Sequence, residues 1–162
     1  MAYKWLPPSK IHKPLWEGKL VEKISLSNGL ILEIWDYSRK LAGDRWLVGF
    51  LAQVGVEPEA SHFSSPYYYE KFKEETDGKV YYRYRKERTF VPEDRVGELF
   101  KGMKESFLTA VKPYLSKPDF KERLIAHEVK LFEQKVDWED SIRKKDEEAE
   151  RLEKLWQHKK YF

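Results

Sequence analysis

The chain contains no cysteine. Disulfides, thiolate metal sites and a cysteine nucleophile are excluded with it. Glycine is scarce, at 8 of 162 residues. No glycine cluster lets a backbone wrap a phosphate, and no P-loop, dinucleotide fingerprint or nucleophile elbow is present. Long hydrophobic runs are missing too. The longest apolar stretch, Trp46 to Val56, is broken by Gln53 and is too short to cross a bilayer. Met1 to Lys10 has no apolar run of the kind a secretory signal requires. Nor is there a large excess of either charge. Lys and Arg number 31 against 28 Asp and Glu, for a net charge of +3, and 16 basic residues face 16 acidic ones from residue 91 onward. A chain held on nucleic acid by phosphate contacts carries more positive excess, at least in one segment. These absences predict a cytoplasmic protein with no cofactor, no metal and no membrane segment.

What is present is charge and aromatic rings. Charged residues make up 36% of the chain, against about 25% for an ordinary domain, and aromatic residues 15%. The length suits one domain with a real core. Three segments are expected. Residues 1–18 hold Pro7, Pro8 and Pro14 among Trp5, Leu6, Ile11, Leu15 and Trp16. Proline fixes φ and removes donors, so this is an extended arm, laid on its own domain or on a partner. Residues 19–136 form a single α+β domain, and 137–162 a charged helical extension.

Within the domain, Leu20 to Ser27 and Leu30 to Tyr37 read as strands joined by Asn28-Gly29, a dipeptide suited to a type I′ turn. Ser38 to Asp44 reads as a polar loop. Trp46, Val48, Phe50, Ala52, Val54 and Val56 alternate without a miss and mark a third, half-buried strand. Ser65-Pro66 opens a short helix over Tyr67 to Thr76 that stops at Asp77-Gly78, although a hairpin accounts for the same residues. Val80, Tyr82, Tyr84 and Phe90 place one face of a fourth strand in the core. Arg83 and Arg85 fall on the other face with Tyr81. Pro92, Glu93 and Asp94 start a helix, and Val96 to Tyr114 follow with a period of 3.6. Ser116-Lys117-Pro118 breaks it, and Phe120 to Val136 form a second helix. The expected fold is a four-stranded antiparallel sheet, a meander plus one strand, packed by two long C-terminal helices.

The residues Asn28-Gly29-Leu30, Asp36-Tyr37-Ser38-Arg39, Ala42-Gly43-Asp44-Arg45-Trp46 and Lys86-Glu87-Arg88-Thr89-Phe90-Val91-Pro92 resemble an uncharacterised family of bacterial proteins, mostly from anaerobic proteobacteria. The resemblance covers residues 20 to about 125 and departs at Thr89, where the family has Asn. It implies a bacterial cytosolic domain and carries no activity, catalytic residue or cofactor with it.

Chemistry is hard to place. His12, His62, His127 and His158 never stand at metal-ligand spacing. His127-Glu128 opens like a zinc-protease helix, but Leu131 occupies the position of the second histidine. Asp36-Tyr37-Ser38 resembles the start of a PilZ cyclic-dinucleotide motif. Leu41 stands where glycine is required and the upstream arginine pair is absent, so the reading is set aside. Asp36 and Asp44, with Arg39 and Arg45 nearby, form either a carboxylate pair for catalysis or ion pairs that pin a loop. Tyr81, Arg83 and Arg85 interleave a ring with two cations, as single-stranded nucleic-acid binders do. Against that stands the ordinary reading of a solvated sheet face.

The extension is more informative. Trp138, Ile142, Ala149, Leu152 and Trp156, with Lys145 in the gap, repeat at four, three, four, three and four residues, the spacing of a coiled-coil seam. The seam packs on its own domain, pairs two copies into a homodimer, or grips another protein. The expected function is therefore a non-catalytic protein-interaction or binding module. A weak nucleic-acid-binding module using strand 79–90 and an enzyme with a dispersed site are the alternatives.

Overall fold

A computed structural model describes residues 18–160. The Pro-rich arm lies outside the described residues except for Gly18. The elements are β1 (Lys19–Ser25), β2 (Ile31–Asp36), β3 (Arg39–Ala42), β4 (Arg45–Val56), α1 (Pro66–Glu75), β5 (Val80–Pro92), α2 (Val96–Ala110), α3 (Lys112–Leu115) and α4 (Phe120–Lys160). The class is α+β, as expected, and the sheet is antiparallel throughout.

β4 is its spine. β5 pairs with β4 along its whole length, from Arg45↔Pro92 to Val56↔Val80. The other edge of β4 takes β2 through Phe50 to Val54 and β3 through Arg45 to Leu47, and β1 pairs with β2 outside them. Even-numbered residues of β4 (Val48, Phe50, Ala52, Val54, Val56) face the helices. Leu47 and Leu51 face the other way, with Tyr37 and Trp35. Phe100 and Phe107 of α2 pack on Phe50 with centroids 5.7 and 5.5 Å away. Phe120 of α4 meets Tyr82 at 5.9 Å, and Phe72 of α1 meets Phe132 of α4 at 5.2 Å.

Four expectations need correction. The segment 38–44 is not simply a loop, because β3 pairs inside it. The Asp36 carboxylate accepts from the Ser38 N–H at 2.9 Å, and Ser38 Oγ accepts from the Gly49 N–H at 3.1 Å. The chain turns on these side chains and then resumes pairing. Every residue of β3 is exposed, so no alternation announces it.

The Asn28-Gly29 turn is not type I′. Among the described residues the positive-φ set contains Gly29 but not Asn28. Gly29 N–H donates to Leu26 C=O at 3.0 Å, and Leu26 N–H to Leu30 C=O at 2.8 Å. This is a three-residue loop with glycine in the left-handed position. Asn28 serves α3 instead. Its amide donates to Leu115 C=O, the last of α3, at 2.8 Å and to Lys117 C=O at 2.9 Å.

Phe90 does not join the core. Between Arg88 and Val91 two residues of β5 oppose Leu47 alone, which is a bulge. Phe90 takes φ +57° there and is 73% exposed.

The first long helix ends at Ala110, not at Tyr114. Pro113 cannot donate a helical hydrogen bond, and its ring crowds the carbonyl four residues back, so the chain restarts as α3. The second long helix and the charged helical extension run on as one uninterrupted helix, α4. Residues 66–78, left open between helix and hairpin, form α1 followed by the Asp77-Gly78 turn, with Gly78 at φ +82°.

Candidate functional site

α4 uses two different faces. From Phe120 to Val136 it buries Ile125, Val129, Phe132 and Val136 against the body. At about 100° per residue these four project within roughly 60° of one another. On the same count Trp138, Ile142, Lys145, Ala149, Leu152 and Trp156 project about 160° to 240° away from Val136. The exposed seam therefore runs along the side of the helix turned away from the sheet. Trp138 is 65% exposed, Leu152 61% and Trp156 75%.

Two tyrosines of α1 mark where the body lets go. The Tyr68 hydroxyl donates to Asp137 and the Tyr67 hydroxyl to Asp140, the latter at 2.7 Å. The hydrogen bond to Asp137 pushes the Tyr68 pKa up to about 12, and that to Asp140 raises Tyr67. Ser64 adds its N–H and its hydroxyl to Glu133 at 2.7 and 2.6 Å. Past Asp140 every residue of α4 with a described side chain is exposed. Ser141 to Lys160 thus project about 30 Å from the body as bare helix.

All five sequence-predicted apolar contact residues share this strip. Trp138, Ile142, Asp146 and Glu150 also line a shallow, open depression along it. Leu131 and Leu155 extend the strip and are exposed too. Leu131 precedes Trp138 by seven residues, a signal hidden in the sequence by the buried stripe that alternates with it. Leu155 flanks Trp156 and was one residue off the seam spacing.

Tyr81, Arg83 and Arg85 do share the sheet face opposite the helices, but they are engaged with one another and with their neighbours. The Tyr81 ring lies across Gly55, and its hydroxyl donates to Asp77. The Arg83 guanidinium stacks on that ring at 4.3 Å, and its Nε donates to Gln53 at 3.2 Å. Arg85 pairs with Glu87 at 2.6 Å, donates to the Tyr37 hydroxyl at 3.2 Å and stacks on the Tyr37 ring at 5.1 Å. Burial raises the pKa of Tyr81 and lowers that of Arg83. The three residues brace one another and their neighbours across this sheet face.

The remaining candidates are dispersed. Asp36 holds the Ser38 N–H, whereas Asp44 sits beside Arg45 at 3.7 Å in solvent. His62 Nδ1 accepts from the Glu59 N–H at 2.9 Å, and its Nε2 lies 3.6 Å from Glu122. His127 is exposed on α4. Burial raises the pKa of Glu128, which feels His127 and Arg83 nearby. Among the described residues no group of three or more His, Asp or Glu could hold a metal ion, and no helix is long and apolar enough to cross a membrane. The chain matches no family model, no curated protein and no solved structure.

Proposed function

We propose that this protein is a non-catalytic interaction module of the cytoplasm, in which the sheet domain presents α4 as a docking arm for a helix of a protein partner. The observation that carries the reading is the rotation of the seam away from the body. A stripe that pointed at the sheet would serve the protein's own core. This one carries Ile142, Leu152, Leu155 and Trp156 on bare helix, and apolar seams at that spacing bury themselves against another helix. The body fixes the arm through Tyr67, Tyr68 and Ser64, so the arm is held in one direction before a partner arrives.

The test is affinity capture of the full chain from its native cells, with and without nuclease. The proposal expects a stoichiometric protein that survives nuclease and is lost from Leu152→Asp. Capture of nuclease-sensitive nucleic acid, unaffected by Leu152→Asp, would overturn it in favour of the basic strand.

A further inference from the structure

The flanks of the seam say what kind of helix fits it. With Ile142, Ala149 and Trp156 at heptad positions a, and Trp138, Lys145 and Leu152 at d, the flanking e positions hold Glu139, Asp146 and Glu153. The g positions hold Ser141, Glu148 and Leu155. Four of the six flanking residues are acidic and none is basic. Arg143, Lys144, Arg151 and Lys154 all stand at outer positions, away from the seam. Asp146, Glu148 and Glu153 make no ion pair within the described chain, so their charges are uncommitted.

A second copy is a poor occupant. In a parallel pair each g residue meets the following e residue of its neighbour, which sets Glu148 against Glu153 of the other copy. Lys145 then faces Lys145 inside the seam. In an antiparallel pair e meets e, and every register sets acid against acid. Among the six flanking residues from Glu139 to Leu155, no self-pairing forms an opposite-charge contact. We infer that the occupant is an amphipathic helix of a different protein, with an apolar seam, Lys or Arg on both flanks and an acidic residue facing Lys145. A lysine at a seam position favours the partner that supplies its counter-charge, and repulsive flanks reject the copy that does not.

The inference rests on the seam being a docking surface, and the experiment separates the two. The probes are three labelled four-heptad peptides, titrated into the full-length protein and followed by anisotropy. The first has Ile at a, Leu at d, Lys at e and g, and one Glu set to face Lys145. The second keeps the seam with Glu flanks. The third scrambles the first. Sedimentation equilibrium gives the mass of the protein alone.

The inference expects a monomer that binds the first peptide at least about tenfold more tightly than the other two. The difference should narrow as salt rises, because flank charges at a helix surface are screened. Leu152→Asp should abolish the binding. Equal affinity for Lys-flanked and Glu-flanked peptides would overturn the charge inference and leave the docking surface standing. So would a dimer whose mass halves in Leu152→Asp. Binding of the scrambled peptide as tightly as the first, indifferent to Leu152→Asp, would overturn both, as would no binding at all by a monomer.

Discussion

Val136 and Trp138 stand two residues apart in α4 and project to opposite sides of it. Val136 is 2% exposed and closes the core, whereas Trp138 is 65% exposed and opens the seam. The change from body to arm takes place within that one turn, with Asp137 between them held by Tyr68.

Substitutions on either side of this point should behave oppositely. Val136→Ala leaves a cavity in the core and should cost about 1–3 kcal/mol in urea unfolding. Leu152→Asp touches nothing in the body and should change stability by no more than about 0.5 kcal/mol, while it removes partner binding. A Leu152→Asp protein as destabilised as Val136→Ala would mean that the seam packs on its own domain.

Phe90 holds a left-handed backbone with little burial to offset it. That conformation costs a side chain with a Cβ about 1–2 kcal/mol, and glycine adopts it freely. Phe90→Gly should raise stability by about 1 kcal/mol, read as a higher melting temperature. A fall in melting temperature would show that the ring is held in place by contacts worth more than the strain.

Gly49 is required by the ring above it. A Cβ there would overlap the carbons of the Tyr37 ring. Gly49→Ala must displace the ring from its bonds to Glu87 and Arg85, and should cost about 1–3 kcal/mol by thermal or urea unfolding. An unchanged midpoint would mean that the ring moves aside freely.

Burial of that same ring pushes the Tyr37 pKa up to about 12. The folded value lies above the unfolded one of about 10. Its contribution to stability is therefore complete below pH about 10 and is lost as pH rises through about 12. Unfolding curves across this interval should fall less steeply with pH in Tyr37→Phe than in the wild type. Identical slopes would place the titration elsewhere.

Asn28 is kept for its amide. Asn28→Asp preserves the acceptor for the Leu30 N–H but loses both donors to Leu115 and Lys117 and turns a carboxylate toward carbonyl oxygens. It should cost about 1–3 kcal/mol in urea unfolding, although Asp tolerates the turn as well as Asn does. A neutral result would return the residue to an ordinary turn role.

How much of this was legible in the chain depended on whether one side chain or a partner decided the outcome. The alternation of Trp46 to Val56 and the 3.6 period after Val96 fixed β4 and α2, because burial repeats along them. β3 was invisible because all four of its residues face solvent. Phe90 misled because a bulge shifts the register by one residue, and period-two reasoning then sends every following side chain to the wrong face. Pro113 shortened the first helix by a rule that was readable but outweighed by the apolar stripe around it. The seam was legible in its spacing, but its direction was not. Only the position of the buried stripe on the same helix showed that it points away from the body, and Leu131 could join it only once that was known.

The most direct measurement is photo-crosslinking in native cells, with a photoreactive amino acid placed at position 149 on the seam or at position 147 on the opposite side of the helix. The account predicts one discrete crosslinked protein from 149 and none from 147. Equal crosslinking from both positions, or none from 149, would contradict it.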